Sequence, residues 1–247
     1  MEKQDDLRKA MLWDAVTRRD QRNYSCFVGF LDEREQFLTR NLMEQAGIEN
    51  YMLWGGYDGA ERVVFGALSA YGDENAFPIV PITFTYRKQD RLSHRDFLGA
   101  LMALGIERDT LGDLLIEEGR CVAFVRQEMA PYILSQVEKI GSVGVRLTEG
   151  VEQPYPAAHR VVPISAVVSS LRVDCIVAAC TGFSREKTKT TIAAGLVTVN
   201  YQECRSPSMV LSVGDKLSIR GKGKFCLAEV GGQTRKGRTG VVLNQYL

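Results

Sequence analysis

The pattern of apolar and polar positions divides this chain into a helical start, an alternating middle and a strand-rich end. Leu7, Ala10, Met11 and Ala15 recur at helical spacing behind Asp5 and Asp6, either of which can cap a helix running to about Arg19. An apolar run over 25–30 predicts a strand, and 33–46 predicts a second helix closed by Gly47. Segments 48–54 and 61–68 flank Gly55-Gly56-Tyr57-Asp58-Gly59, the pattern of strand, loop and strand. Residues 1–78 are therefore expected to form a small N-terminal α/β domain.

The next stretch has a recognisable order. Residues 79–87 are rich in β-formers, with Pro81 near the start. Ser93 followed by Asp96 is a capping-box variant that opens a helix to about Leu104, stopped by Gly105. Strands are predicted at 111–116 and 121–125, separated by Glu117-Glu118-Gly119-Arg120. Pro131 then sits in the first turn of a helix bearing Ile133, Val137 and Ile140, with Gly141 as its stop and 143–147 as a last strand. Over 79–150 this gives β-α-β-β-α-β, the order of ferredoxin-like and RNA-recognition-motif folds. Such a motif binds RNA through exposed aromatics on its central strands. Phe84, Tyr86 and Phe124 are the candidates, but a lone phenylalanine in an apolar strand is more often core, so this domain is read as an auxiliary contact. Pro154 and Pro156 break periodicity; 151–168 reads as a linker with an extended lead-in at 161–168, and 169–247 as a C-terminal domain.

Composition narrows the class. A chain of 247 residues, 45% hydrophobic and 25% charged, can build one large or two to three small domains. No run approaches the roughly 18 apolar residues of a membrane span, and the charged start lacks a secretory core, so a cytoplasmic protein is expected. Cysteines 26, 121, 175, 180, 204 and 226 form no C-x-x-C pair, and His94 and His159 do not complete a ligand set. Reduced thiols, no metal and no cofactor are expected. Residues 171–247 hold twelve Lys/Arg against five Asp/Glu, a net +7; the whole chain carries +1, which leaves −6 for residues 1–170. A basic domain on an acidic body suits an anionic partner, although a merely solvated basic surface would carry the same charge.

Within the basic domain, 171–180 has helical composition and Thr181-Gly182 stops it. Ser184 is a favourable N-cap for the next helix, and Gly195 fits its C′ position. Arg185, Lys187 and Lys189 surround that helix start, where cations oppose the helix dipole but, beside exposed amides, make a phosphate site. Strands are predicted at 196–199, 210–213 and 216–220, with turns at Asn200-Tyr201 and Gly214-Asp215. Arg220-Gly221-Lys222-Gly223-Lys224 places three cations with little bulk between them, and Arg235-Lys236-Gly237-Arg238 repeats the pattern. Only Tyr201 and Phe225 offer stacking nearby, so recognition by backbone and shape is expected.

Residues 171–224 resemble the S4-like RNA-binding domain, the αL module of ribosomal protein S4. The match runs through Arg172-Val173-Asp174, Ser184-Arg185, Ile192-x-x-Gly195-x-Val197-x-Val199-Asn200 and Gly214-Asp215. The resemblance implies that Ser184, Arg185, Lys187, Thr188 and Lys189 face RNA, with the hairpin lysines Lys222 and Lys224 beside them and Asp174 structural. Arg172, Asn200, Tyr201, Arg205, Arg220, Arg235, Lys236 and Arg238 complete the candidate RNA-binding set. Tyr201 stands where the family usually has glycine, so a tight turn with positive φ at both central residues is not expected. The whole chain resembles YlmH-type proteins through Gly55-Gly56-Tyr57…Ala60-Glu61-Arg62, the segment His94-Arg95-Asp96-Phe97-Leu98-Gly99-Ala100-Leu101-Met102, Leu104-Gly105-Ile106-x-Arg108 and Leu111-Gly112-Asp113. That resemblance implies a multidomain α+β protein, non-catalytic, binding ribosomal RNA and tRNA on the large ribosomal subunit and linked to rescue of stalled translation. It also implies a link to cell division, since genes of the family lie near division genes.

Two other functions stay open from the residues. One is an RNA-modifying enzyme, of pseudouridine synthase or methyltransferase type, using the basic module for docking. Against it, the chain has no G-x-G-x-x-G after a strand, no P-loop, and no arginine-led aspartate motif outside Arg172-Val173-Asp174. The other is an adaptor whose acidic N-terminal body binds a division protein. His94 reads as part of a helix start, and Glu61 with Arg62 as a structural ion pair beside a glycine turn. No catalytic residue is assigned.

Overall fold

The computed structural model describes residues 2–156, 161–234 and 237–246, with side chains from Asp5 onward. The chain divides into two compact units, 1–158 and 159–247. Each combines helices with antiparallel sheet, an α+β architecture. No helix among the described residues is long and apolar enough to cross a membrane.

The first unit opens with α1 (Glu2–Arg22), β1 (Cys26–Leu31), α2 (Glu33–Gln45), β2 (Tyr51–Trp54) and β3 (Val63–Ala67). Helix α1 begins before Asp5 and runs past Arg19, so the two aspartates lie inside it rather than capping it. Asp5 instead receives two bonds from the Arg34 guanidinium, at 2.9 and 2.7 Å, which tie α1 to α2. Helix α2 has a true capping box: Asp32 accepts from the Glu35 amide at 2.8 Å and Glu35 accepts from the Asp32 amide at 2.9 Å. The three strands form a sheet in the order β1-β3-β2.

The same unit continues with β4 (Ile79–Thr85), α3 (His94–Ala103), β5 (Leu111–Glu117), β6 (Arg120–Arg126) and α4 (Ala130–Gln136). A short hairpin, β7 (Lys139–Ile140) and β8 (Val143–Gly144), precedes β9 (Arg146–Glu149). Helix α4 stops at Gln136 because Val137 is extended (ψ 110°); Ile140, expected on the helix, lies in the hairpin, and the expected strand 143–147 is two separate pieces. The sheet order is β5-β6-β4-β9, every neighbour antiparallel, so the strands alternate in direction as the β-α-β-β-α-β order requires. Ser93 caps α3 by donating its amide and hydroxyl to Asp96 Oδ2 at 2.8 and 2.6 Å.

Strand β6 is buried on both faces. Cys121, Ala123 and Val125 pack with Phe97, Leu101 and Ile133 of α3 and α4. Val122 and Phe124 pack with Phe30, Val64 and Leu68 beside the first sheet. The period-2 alternation of a strand produces this division.

The second unit is β10 (Val161–Val168), α5 (Val173–Thr181), α6 (Arg185–Ala193), β11 (Val197–Val199), β12 (Gln202–Glu203), β13 (Lys216–Ile219), β14 (Gly223–Gln233) and β15 (Thr239–Tyr246). Its sheet has the order β10-β15-β14-β13-β11-β12, all antiparallel. The expected lead-in at 161–168 is thus a full strand of this sheet. Residues 210–213 make only an isolated bridge, Val210 to Arg172, whereas β14 and β15 are strands that the residue pattern did not announce. Val173, Ile176, Val177 and Ile192 of the two helices pack on Leu217, Ile219, Phe225, Leu227, Val241 and Leu243 of the sheet.

Candidate nucleic-acid interface

The junction of α5 and α6 is fixed by local chemistry. Gly182 ends α5 in the left-handed conformation (φ 68°), a geometry that costs glycine little. Two residues later Ser184 accepts from the Lys187 amide at 3.4 Å and starts α6. Between them stands Phe183. Lys187 Nζ lies 4.3 Å from the centroid of its ring and Lys222 Nζ, from the turn joining β13 and β14, lies 5.3 Å from it. The helix start and the basic hairpin therefore meet over one aromatic ring, and cation–π attraction offsets part of the repulsion between the ammonium groups. Phe183 was not among the expected site residues, although its place beside the N-cap marks it.

Arg185, Lys189 and Arg220 are exposed and make no ion pair among the described residues. Thr188, expected to face RNA, is 1% exposed. It stands four residues before buried Ile192, on the inward face of α6, where it borders the cleft between the helices and β10 instead of open surface. Lys224 also departs from expectation. It immediately precedes buried Phe225, so strand alternation directs it to the sheet face opposite α5 and α6. Phe225 itself, at 1% exposure, is core and offers no stacking surface.

Other expected contacts are engaged within the protein. Arg172 donates to Asp174 Oδ1 and Oδ2 at 3.1 and 2.9 Å. Burial pushes the Asp174 carboxyl up, but the bonds from Arg172 and Cys175 outweigh it and hold it below its ordinary value. Asn200 donates to Asp215 at 2.8 Å and accepts from the Lys216 amide at 3.0 Å, which makes it the staple of its hairpin. Arg205 pairs with Glu203. Asn200 and Tyr201 both have positive φ, 47° and 66°. The tight turn that Tyr201 argued against is therefore present, held by the Val199–Gln202 pair and the Asn200 bonds. Arg235 and Lys236 lie outside the described residues, as does His159.

Arg238 donates to the Val167 carbonyl at 3.1 Å and shares with Arg185 a cleft of about 350 Å³ between β10 and the two helices. The cleft and the Phe183 cluster both adjoin the first turn of α6. Among the described residues no group of three His, Cys, Asp or Glu could hold a metal, and burial pushes the Cys180 thiol up to about 12, which keeps it protonated at neutral pH.

In the first unit the glycine motifs close on Asp113. Its carboxylate accepts from Tyr57 Oη and the Glu61 amide at 2.7 Å each and from the Arg62 amide at 3.0 Å. The Arg62 guanidinium donates to the carbonyls of Leu111, Phe30 and Arg108 at 3.0, 2.9 and 2.9 Å. The Arg62 guanidinium thus forms a three-carbonyl staple, and Arg62 and Asp113 serve as fasteners. Gly56 (φ 96°) is required because a Cβ there would stand 2.6 Å from Phe124 Cδ1. Phe84 and Phe124 are fully buried, so neither is a stacking platform. Following β4, Arg87, Lys88, Arg91 and Arg95 are all exposed, a cluster of four cations in nine positions that the sequence reading passed over.

A family profile described as "Putative RNA-binding domain in YlmH" matches residues 72–153. That span contains β4 through β9 and the 87–95 cations, not the C-terminal unit. The chain is 32% identical over 232 residues to a Bacillus subtilis (strain 168) protein named "Ribosome-associated protein quality control protein P2", covering 92% of this chain and 89% of that one. A solved structure of "Cell division protein ylmH from Streptococcus pneumoniae" matches with a TM-score of 0.52 at 19% identity, over 60% of this chain and 92% of that chain; it speaks for the fold alone. The near-complete alignment with the Bacillus protein shows that the chain belongs to the YlmH family of ribosome-associated quality control proteins.

Proposed function

We propose that this chain is a non-catalytic cytoplasmic protein that docks on ribosomal RNA and tRNA of the large ribosomal subunit, in the quality control that rescues stalled translation. In this reading 1–78 is a small α/β domain, 79–150 an RNA-recognition-motif-like domain with an auxiliary contact, and 169–247 an S4-like module with the main one. The observation that carries it is the convergence of Lys187 and Lys222 on Phe183 beside the Ser184 cap. Cations gathered at a helix N-terminus suit a phosphate backbone, and the excess of seven positive charges over 171–247 agrees with it. The Bacillus relative's name supplies the ribosomal context.

The test is co-sedimentation with large ribosomal subunits across a salt series. Log K is expected to fall by about 0.7 to 0.9 per phosphate neutralised for each tenfold rise in salt. Reversing Arg185 and Lys189 to glutamate is expected to weaken binding and flatten that slope. Undiminished binding by the double variant would sink the proposal.

A further inference from the structure

The cleft between β10 and the helices has features that a phosphate-binding surface alone does not need. Its volume, about 350 Å³, lies at the lower end of the roughly 300–1,000 Å³ of small-molecule clefts. Val167, Ala178 and Ala179 give it apolar walls. Thr188 also lines it, and the buried Thr188 Oγ1 has no hydrogen-bond partner among the described residues. A buried hydroxyl both donates and accepts, and leaving it unmatched costs stability. Asp174 lines the same space, its carboxylate already held by Arg172 at 3.1 and 2.9 Å and by the Cys175 amide at 3.0 Å. Arg185 and Arg238 complete the lining with two guanidinium groups.

We infer that this cleft takes one unstacked nucleotide of the bound RNA, its base against the apolar wall and Thr188, its phosphate at Arg185 and Arg238. The inference rests on the RNA-binding reading and deepens it. An extruded base is held by apolar contact and by hydrogen bonds to its polar edge, and the cleft offers both. Guanidinium groups suit a phosphate through paired donors. Inorganic phosphate would satisfy the arginines but leave Thr188 unmatched, which separates a nucleotide from a free anion.

The full-length chain, labelled for amide NMR, is titrated with the four ribonucleoside 5′-monophosphates and with inorganic phosphate. Nucleotides are expected to shift the amides of Ala178 and Ala179 as well as those of Arg185 and Arg238, and phosphate those of the two arginines only. Ala178→Leu fills the cleft with a good helix former and is expected to abolish the nucleotide response. It is also expected to weaken binding to large-subunit ribosomal RNA about fivefold, as loss of roughly one hydrogen bond and its contacts would, with the salt slope unchanged. Thr188→Val adds no bulk and is expected to weaken RNA binding by a similar factor, which covers the case in which Ala178→Leu does not fold. Nucleotides acting only as phosphate does would overturn the inference. So would Thr188→Val binding RNA as wild type does. If the wild-type chain ignores large subunits even at low salt, the RNA-binding reading falls and this inference with it; if only the variants fail to differ, the cleft assignment alone falls.

Discussion

Lys222 Nζ stands 5.3 Å from the centroid of the Phe183 ring, so the turn between β13 and β14 is held against the start of α6. The ring orders two ammonium groups without itself carrying charge. Phe183→Ala is expected to lower RNA affinity about threefold, the worth of one exposed cation–π contact. The salt slope should stay unchanged because both lysines remain, and Phe183→Tyr should bind as wild type. Lys222→Gln, by contrast, is expected to reduce the slope by about one. Filter-binding titrations at several salt concentrations separate the two effects.

Asp113 joins two segments some fifty residues apart in sequence through three hydrogen bonds. Asp113→Ala leaves two backbone amides and the Tyr57 hydroxyl without their acceptor. A loss of about 2–3 kcal/mol is expected, since the site is only partly shielded from water. Tyr57→Phe removes one of these bonds and should cost about 1 kcal/mol. Urea unfolding followed by Trp fluorescence measures both.

The cations at 87–95 lie within the span that matches the family's RNA-binding profile. Arg91→Gln with Arg95→Gln is expected to lower the salt slope of ribosome binding by up to about two while leaving thermal stability unchanged. A slope equal to wild type would assign the whole electrostatic contact to the C-terminal unit.

The Arg172–Asp174 pair predicts a pH dependence. The folded-state pKa of Asp174 lies below its ordinary value, taken as about 3.9 in the unfolded chain. Its stabilisation is therefore fully present above that value and is lost as pH falls through the folded pKa. Asp174→Asn should melt earlier than wild type at pH 7, and the difference should shrink below about pH 4. Melting curves at pH 7, 5 and 3 test this.

Features set by a few neighbouring residues were legible in the sequence. Ser184 as N-cap, Gly182 and Gly195 as helix stops and the Ser93–Asp96 start all rest on contacts within four residues. The burial of Thr188 was legible too, since Ile192 one turn later marks its face of α6 as inward; that this face also borders a cleft was not. Strands β14 and β15 were not legible, because β14 loses its apolar alternation after Leu227 and runs into Gly231-Gly232, and its strand character comes from pairing with β15. The Asp113 staple was visible only as two unconnected motifs, since no local spacing records a bond across fifty residues. Tyr201 shows the converse: tertiary bonds at Asn200 impose a backbone conformation that residue preference alone would reject.

The double burial of β6 has one more consequence. With helices against one side and a second sheet against the other, the middle strand of residues 72–153 is closed to visitors, which leaves helix backs and loops to meet them. Any contact this domain makes would fall on exposed side chains such as Arg91 and Arg95, which answer to charge and outline before they answer to the letters of a strand.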